Sequence, residues 1–75
     1  MNDETINEEY MDYYIYLHNL KLSGVVNMFG AAPYIADEFF IARKHARNIL
    51  RHWMRVYPLL LQQDTVAKEI LRRNN

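Results

Sequence analysis

The stretch ARKHARNILRHWMRVY, residues 42–57, decides the fold. Its apolar members Ala42, Ala46, Ile49, Leu50, Trp53, Val56 and Tyr57 recur at helical spacing, so at about 100° per residue they share one arc and predict a buried helix face. Arg43, Arg47, Arg51 and Arg55 recur at every fourth position on the other side, with Lys44 and Asn48 beside them. At 1.5 Å per residue the four arginines line roughly 18 Å of helix. Pro58 lacks an N–H and its ring clashes with the preceding turn, which predicts that this helix ends at Tyr57.

Upstream, residues 5–22 contain neither Gly nor Pro, and Ile6, Tyr10, Tyr13, Leu17 and Leu20 recur at steps of four and three, so a first helix is expected with Tyr14 on the shoulder of its core face. Ser23-Gly24 supplies its stop, since glycine enters the left-handed conformation that closes helices. Nearly opposite the core face lie Met11, Ile15 and Leu22, with His18 beside them. This second apolar stripe is either a homodimer or partner interface, or a surface covered by the segment 25–32 or by the last helix. Segment 25–32 reads as a loop. Either Asn27 caps a turn, Met28 and Phe29 anchor it in the core and Gly30 takes a positive φ, or Met28-Phe29 is an exposed recognition patch. Pro33 suits the first turn of a short second helix through Tyr34, Ile35, Glu38 and Phe39. Asp64 is placed to cap a last helix from Thr65 to about Arg73, with Val66, Ile70 and Leu71 on its apolar side. The expectation is an all-α domain of three main helices plus a C-terminal one, self-associated as a homodimer.

At 75 residues, 51% hydrophobic and 24% charged, the chain has the makings of one small domain and not of two. Nine Lys+Arg balance nine Asp+Glu and 13% of residues are aromatic, which is not the signature of disorder. A domain of this size is marginal without a staple, and with no Cys and three His it offers no disulfide and no zinc spacing. Dense packing or self-association must compensate. Neither a signal peptide nor a membrane span is expected, because the first nine residues are acidic and no apolar run approaches about 18 residues; a cytoplasmic setting is the working assumption.

Zero net charge conceals an asymmetry. Residues 1–40 hold seven acids (Asp3, Glu4, Glu8, Glu9, Asp12, Asp37, Glu38) and one base (Lys21), a balance of −6, whereas residues 41–75 hold eight bases and two acids, a balance of +6. Four arginines at successive i, i+4 positions repel one another, so the ridge asks for an anion: nucleic-acid phosphate, the acids of this chain or a neighbour, or a charged partner protein.

A short helix over 33–39, a tight turn and a following helix with bases at its start resemble the helix-turn-helix of phage repressors, over about residues 33–52. The likeness implies that Ala36 and Ala46 lie where the two helices cross, and that Phe39, Ile41 and Ile49 fill the space between them. It also implies a left-handed turn residue, usually Gly, where this chain has Phe40. The run Asn27-Met28-Phe29-Gly30-Ala31-Ala32-Pro33-Tyr34, followed by Phe39, Ala46, Leu50 and Trp53-Met54, resembles small bacteriophage and marine viral proteins without an assigned activity. That second resemblance implies a viral origin and a host-cytoplasm setting, and carries over no functional residue.

Enzyme chemistry is not expected. Ser23 is the only Ser, Thr5 and Thr65 lie near opposite ends, and no nucleophile, base and orienting group come together. His45 and His52 are seven residues apart on one helix, too far to share a metal, and read as surface or partner-facing. Gly24 and Gly30 do not make a phosphate loop. Neither cofactor nor metal is called for. Two functions follow. In the first, the protein is a phage-type nucleic-acid-binding or regulatory protein, with DNA as the partner, in which Arg43, Lys44 and Arg47 meet phosphates or base edges, Asn48 reads a base, and Arg51 and Arg55 grip the backbone. In the second it is a homodimeric interaction module that binds a host or viral protein through Met11, Ile15, His18 and Leu22 and the Met28-Phe29 loop.

Overall fold

Asn7 sets where the chain first becomes helical. Its side-chain carbonyl accepts from the Glu9 N–H at 2.9 Å and its backbone stays extended (φ −106°, ψ 112°), so the chain makes a single 3-10 turn, Glu8–Tyr10, before the α-helix begins. Local side-chain bonding of this kind competes with helix propagation, which is why α1 spans Met11–Ser23 and not the expected 5–22. The computed structural model describes residues 5–74; Met1, Asn2, Asp3, Glu4 and Asn75, including two of the acids counted above, lie outside the described residues. Within them the order continues with a 3-10 turn at Met28–Gly30, then α2 (Ala32–Phe39), α3 (Arg43–Gln62) and α4 (Thr65–Arg73), and no strand. The domain is all-α, as the spacing predicts.

Gly24 ends α1 in the left-handed conformation (φ 69°) with its N–H on the Lys21 carbonyl. Pro33 lies in the first turn of α2, where its missing N–H breaks no helical bond. At the other end of α2, Phe40 takes φ 55° and ψ 46°, and the Ile41 N–H reaches back to the Ala36 carbonyl at 3.1 Å, the six-to-one bond of a Schellman closure. Such a turn usually belongs to glycine.

The core is one cluster. Tyr14 and Leu17 of α1, Ile35 and Ala36 of α2, Ala46, Ile49, Leu50, Trp53, Val56 and Leu60 of α3, and Val66 of α4 are buried together with Ala31 and Ala32. α1 is rotated from its expected placement: Tyr14 and Leu17 point to the centre, while Ile6, Tyr10, Tyr13 and Leu20 are half-buried against the cluster. The cause is polar. The Tyr14 hydroxyl accepts from the Asn7 N–H at 2.9 Å and lies 2.7 Å from His52 Nε2, so a fully buried ring keeps its oxygen satisfied.

Several expectations fail, at helix ends, on α4 and on the loop. α3 does not stop at Tyr57: it runs through Pro58 to Gln62. Interior proline costs about 3 kcal/mol, but Leu60 beyond it is buried and the extra turn brings α4 back onto α1, burying Val66. Those two side chains contribute about 1.5–3 kcal/mol each, enough to offset the break. Asp64 precedes α4 but makes no side-chain cap; at φ 52° it is left-handed, and its own N–H closes α3 on the Leu61 carbonyl. An Ncap side chain reaches the first amides from the extended region, which Asp64 does not occupy. Leu71 points into solvent instead of the core. In the loop, Asn27 caps its turn as expected, accepting from the Phe29 N–H at 3.0 Å, and Met28 is half-buried on the core. Phe29 is no anchor: it is 83% exposed, and Gly30 has no positive φ.

Candidate nucleic-acid interface

α3 sorts its residues by side. Ala46, Ile49, Leu50, Trp53 and Val56 of the apolar arc are buried, while Tyr57 is half-buried and Ala42, expected in the arc, is exposed because it lies just ahead of the helix; Arg43, Lys44, Arg47, Asn48, Arg51 and Arg55 are all exposed. They do not form one straight row. Four residues turn a helix by about 40° beyond a full circle, so three such steps carry the row about 120° around the axis. Arg43, Arg47 and Arg51 therefore face one groove, and Asn48 and Arg55 face another. Lys44 lines neither.

The first groove, about 390 Å³, has Leu50 and Met54 as its apolar floor, Ala32 and Pro33 as a wall, and Phe29 at its side, with the three arginines along its length. The second, about 620 Å³, runs between Thr5, Ile6, Asn7, Glu8 and Tyr10 on one side and Asn48, His52 and Arg55 on the other. It is the more polar of the two. His52 is not the surface histidine expected from spacing: half-buried, it bonds Tyr14, stacks on that ring at 5.9 Å and meets Tyr10 edge-on at 5.3 Å. Burial raises the Tyr14 hydroxyl above its ordinary range, with the Asn7 hydrogen bond acting the other way, so the hydroxyl stays protonated where it meets His52 Nε2. His45 is exposed, edge-on to Tyr13 at 6.5 Å.

The ion pairs lie elsewhere. Arg73 of α4 bridges Asp12 of α1 at 2.8 Å and Glu69 of its own helix at 2.8 Å, and Arg72 meets the same Glu69 at 2.7 Å. These bonds hold the Glu69 carboxyl below its usual range and raise the Arg73 guanidinium. Among the described residues, Arg43, Lys44, Arg47 and Arg51 make no ion pair with the acids of this chain. Arg55 has an interaction of its own.

Their position intensifies the charge. Ala42, which precedes α3 in an extended conformation, offers no capping side chain, and the first turn of α3 contains no acid, so Arg43 and Lys44 stand at the positive end of the helix dipole. The two cations at the dipole's end and the two i, i+4 repulsions along Arg43, Arg47 and Arg51 together oppose folding by on the order of 1–3 kcal/mol. A bound anion removes that opposition.

The second apolar stripe of α1 is not an open face. Met11 and Ile15 are half-buried against the core, and α4 lies along α1. His18 sits in a narrow cleft of about 60 Å³ with Trp53, Tyr57, Leu60 and Val66. The last helix covers this side, and only Leu22, 73% exposed, stays open. Tyr16 is half-buried too, its ring edge-on to Phe39 at 5.6 Å.

Phe29, beside the arginine groove, is exposed, as the recognition-patch alternative for the loop has it. Phe40, at 93% exposure three residues before Arg43, is a candidate that sequence reasoning misses, because apolar character argues for burial and no pattern in the chain marks this ring as outward. No helix among the described residues is long and apolar enough to cross a membrane. Comparison with protein-family models, with curated proteins and with solved structures gives no match.

Proposed function

We propose that this chain is a small nucleic-acid-binding protein of the phage type, acting in the host cytoplasm, and that α3 is its binding helix. The observation that carries the reading is the solvent-facing set Arg43, Lys44, Arg47 and Arg51, unpaired with the acids of the chain among the described residues, at a helix start with neither acid nor cap. A structural ridge would pair with the acids of this chain; instead Asp12 of α1 takes Arg73, and no acid among the described residues pairs with Arg43, Lys44, Arg47 or Arg51. In this reading Arg43 and Lys44 meet phosphate at the helix start, Arg47 and Arg51 continue along the backbone, and Asn48 reaches a base edge. Phe40 adopts the left-handed turn that the helix-turn-helix plan asks for between α2 and α3, which favours the same surface.

The test is fluorescence anisotropy with labelled DNA at several salt concentrations. Binding should be micromolar or tighter at low salt, with log affinity falling linearly in log salt. In the Arg43→Ala/Arg47→Ala variant the slope should shrink by about 2, one for each phosphate that no longer has its arginine. Absence of binding at low salt refutes the reading. A protein-interaction module, self-associating or binding a host or viral protein, is the second reading, and the exposed Leu22 in the last turn of α1 and Val25 just beyond it favour it. It predicts that Leu22→Ser/Val25→Ser abolishes any concentration-dependent dimer in sedimentation.

A further inference from the structure

We infer that the groove between Phe29 and the arginines of α3 takes a single strand with unpaired bases, with Phe29 stacking on a base while Arg43, Arg47 and Arg51 hold the backbone. The inference rests on the nucleic-acid reading and names its substrate class.

The turn that carries Phe29 is built to hold the ring outward. Asn27 fixes it from both sides: its side chain accepts from the Phe29 N–H at 3.0 Å and its backbone carbonyl from the Gly30 N–H at 2.8 Å. Met28 is packed against the core and the Ala31 N–H closes on the Met28 carbonyl, so the neighbours of Phe29 are tied down on both sides. A phenyl ring 83% exposed on a fixed turn loses little conformational freedom when it stacks.

The rest of the groove supplies what a nucleotide needs. Leu50, Met54, Ala32 and Pro33 give an apolar bed, and the guanidiniums of Arg43, Arg47 and Arg51 border it. The groove, about 390 Å³, falls in the range of clefts that hold small molecules, about 300–1,000 Å³, and so admits a nucleoside. Successive arginines rise about 6 Å along the helix, close to the spacing of phosphates on an extended strand. An aromatic platform beside a basic track is the means by which single strands are bound with little regard to sequence. A duplex keeps its base faces stacked inside and would offer the Phe29 ring sugar and phosphate. An acidic peptide would satisfy the arginines and leave the ring without a π-face to meet.

The test uses the full chain and three fluorescein-labelled probes at matched salt: a thymidine oligomer of about 20 nucleotides, a duplex of the same length, and poly-glutamate. The single strand is expected to bind at least tenfold tighter than the duplex. Phe29→Ala should weaken single-strand binding about five- to hundredfold, the effect of losing one stacked base, with the salt slope unchanged, and should leave duplex binding within twofold. Phe29→Trp should restore it. The ring is exposed, so the circular dichroism melt of Phe29→Ala should match that of the parent protein. Equal or tighter binding of duplex, or single-strand binding insensitive to Phe29→Ala, overturns this inference and leaves the nucleic-acid reading standing. No binding of either DNA at low salt overturns both. Poly-glutamate bound as tightly as the single strand also overturns both, and points to an acidic protein partner.

Discussion

Replacing Phe40 with glycine should make the protein more stable. A residue with a Cβ held at φ 55° and ψ 46° is about 1–2 kcal/mol less comfortable than in the right-handed region, and glycine escapes that penalty. Two effects oppose the gain. The ring is 93% exposed, so against the 1.5–3 kcal/mol of a fully buried Phe the burial given up is on the order of 0.2 kcal/mol. Glycine also adds freedom to the unfolded chain, which costs about 0.4–1 kcal/mol. The balance favours the variant by about 0.5 kcal/mol, and at about 4–8 °C per kcal/mol for a domain of this size its Tm should rise by about 2–4 °C. Thermal unfolding followed by far-ultraviolet circular dichroism measures the shift. Phe40→Ala is the control that separates backbone from ring, because it keeps the Cβ and therefore the strain, and its Tm should stay close to that of the parent. A lowered Tm for Phe40→Gly would mean that the ring is held by its neighbours and would refute the reasoning. So would an equal rise for Phe40→Ala, which would trace the gain to removal of an exposed aromatic.

Arg47→Glu turns two i, i+4 repulsions with Arg43 and Arg51 into attractions, so it should stabilise the fold by about 1 kcal/mol in urea titration, and more at low salt than at high. Tyr14→Phe removes a hydroxyl bonded to the Asn7 N–H and His52 Nε2, and should destabilise by about 1–2 kcal/mol, lowering Tm by about 5–10 °C in calorimetry. The Glu69 carboxyl is depressed in the folded state by hydrogen bonds from Arg72 and Arg73, so its contribution is present above the unfolded value near 4.3 and is lost as pH falls through the lower folded value. Denaturation midpoints of the parent protein and Glu69→Gln should therefore differ at neutral pH and converge in acid.

Where sequence predicts this fold well, one local signal meets no competitor. The 3.6-residue period of α3, the Gly24 stop and the Pro33 start are each settled within a turn of helix, and the structure has all three. The misplaced ends have a common cause, since a tertiary gain overrides a local rule. Pro58 breaks a helix on its own account, yet burial of Leu60 and the return of α4 carry α3 onward to Gln62. Asp64 has a capping side chain, but the two-residue reversal between α3 and α4 holds it left-handed. The site was legible in part for a related reason. Periodicity identifies which α3 residues leave the core, so the exposure of all six polar candidates follows from Ala46, Ile49, Leu50, Trp53 and Val56. It does not show that the arginine row winds from one groove into another, because that depends on what packs against each flank. Nor does it place His52, whose partner Tyr14 is 38 residues away in sequence.

Two unfavourable features of this small domain adjoin each other at the start of α3. Phe40 stands in a conformation that resists it, and Arg43, Lys44, Arg47 and Arg51 crowd like charges at a helix start that offers no relief. A 75-residue chain has little stability to lose, with net values for domains of this size near 5 kcal/mol or slightly above. Strain and repulsion totalling on the order of 2–5 kcal/mol are therefore a large fraction of it. Elsewhere the chain satisfies its groups: no buried side-chain nitrogen or oxygen among the described residues lacks a hydrogen bond, and Arg73 pairs with two carboxylates. The left-handed Asp64 and the interior Pro58 belong to the turn between α3 and α4, where burial of Leu60 and Val66 offsets them, whereas Phe40 and the α3 cations are exposed to solvent; costs left on an exposed face mark a surface shaped by what it binds, since binding returns what folding alone does not. The consequence is a sign that separates the two sides. Arg47→Glu should raise stability while weakening nucleic-acid binding, whereas Tyr14→Phe, on the side that only holds the fold together, should lower stability and leave the affinity of the folded fraction unchanged.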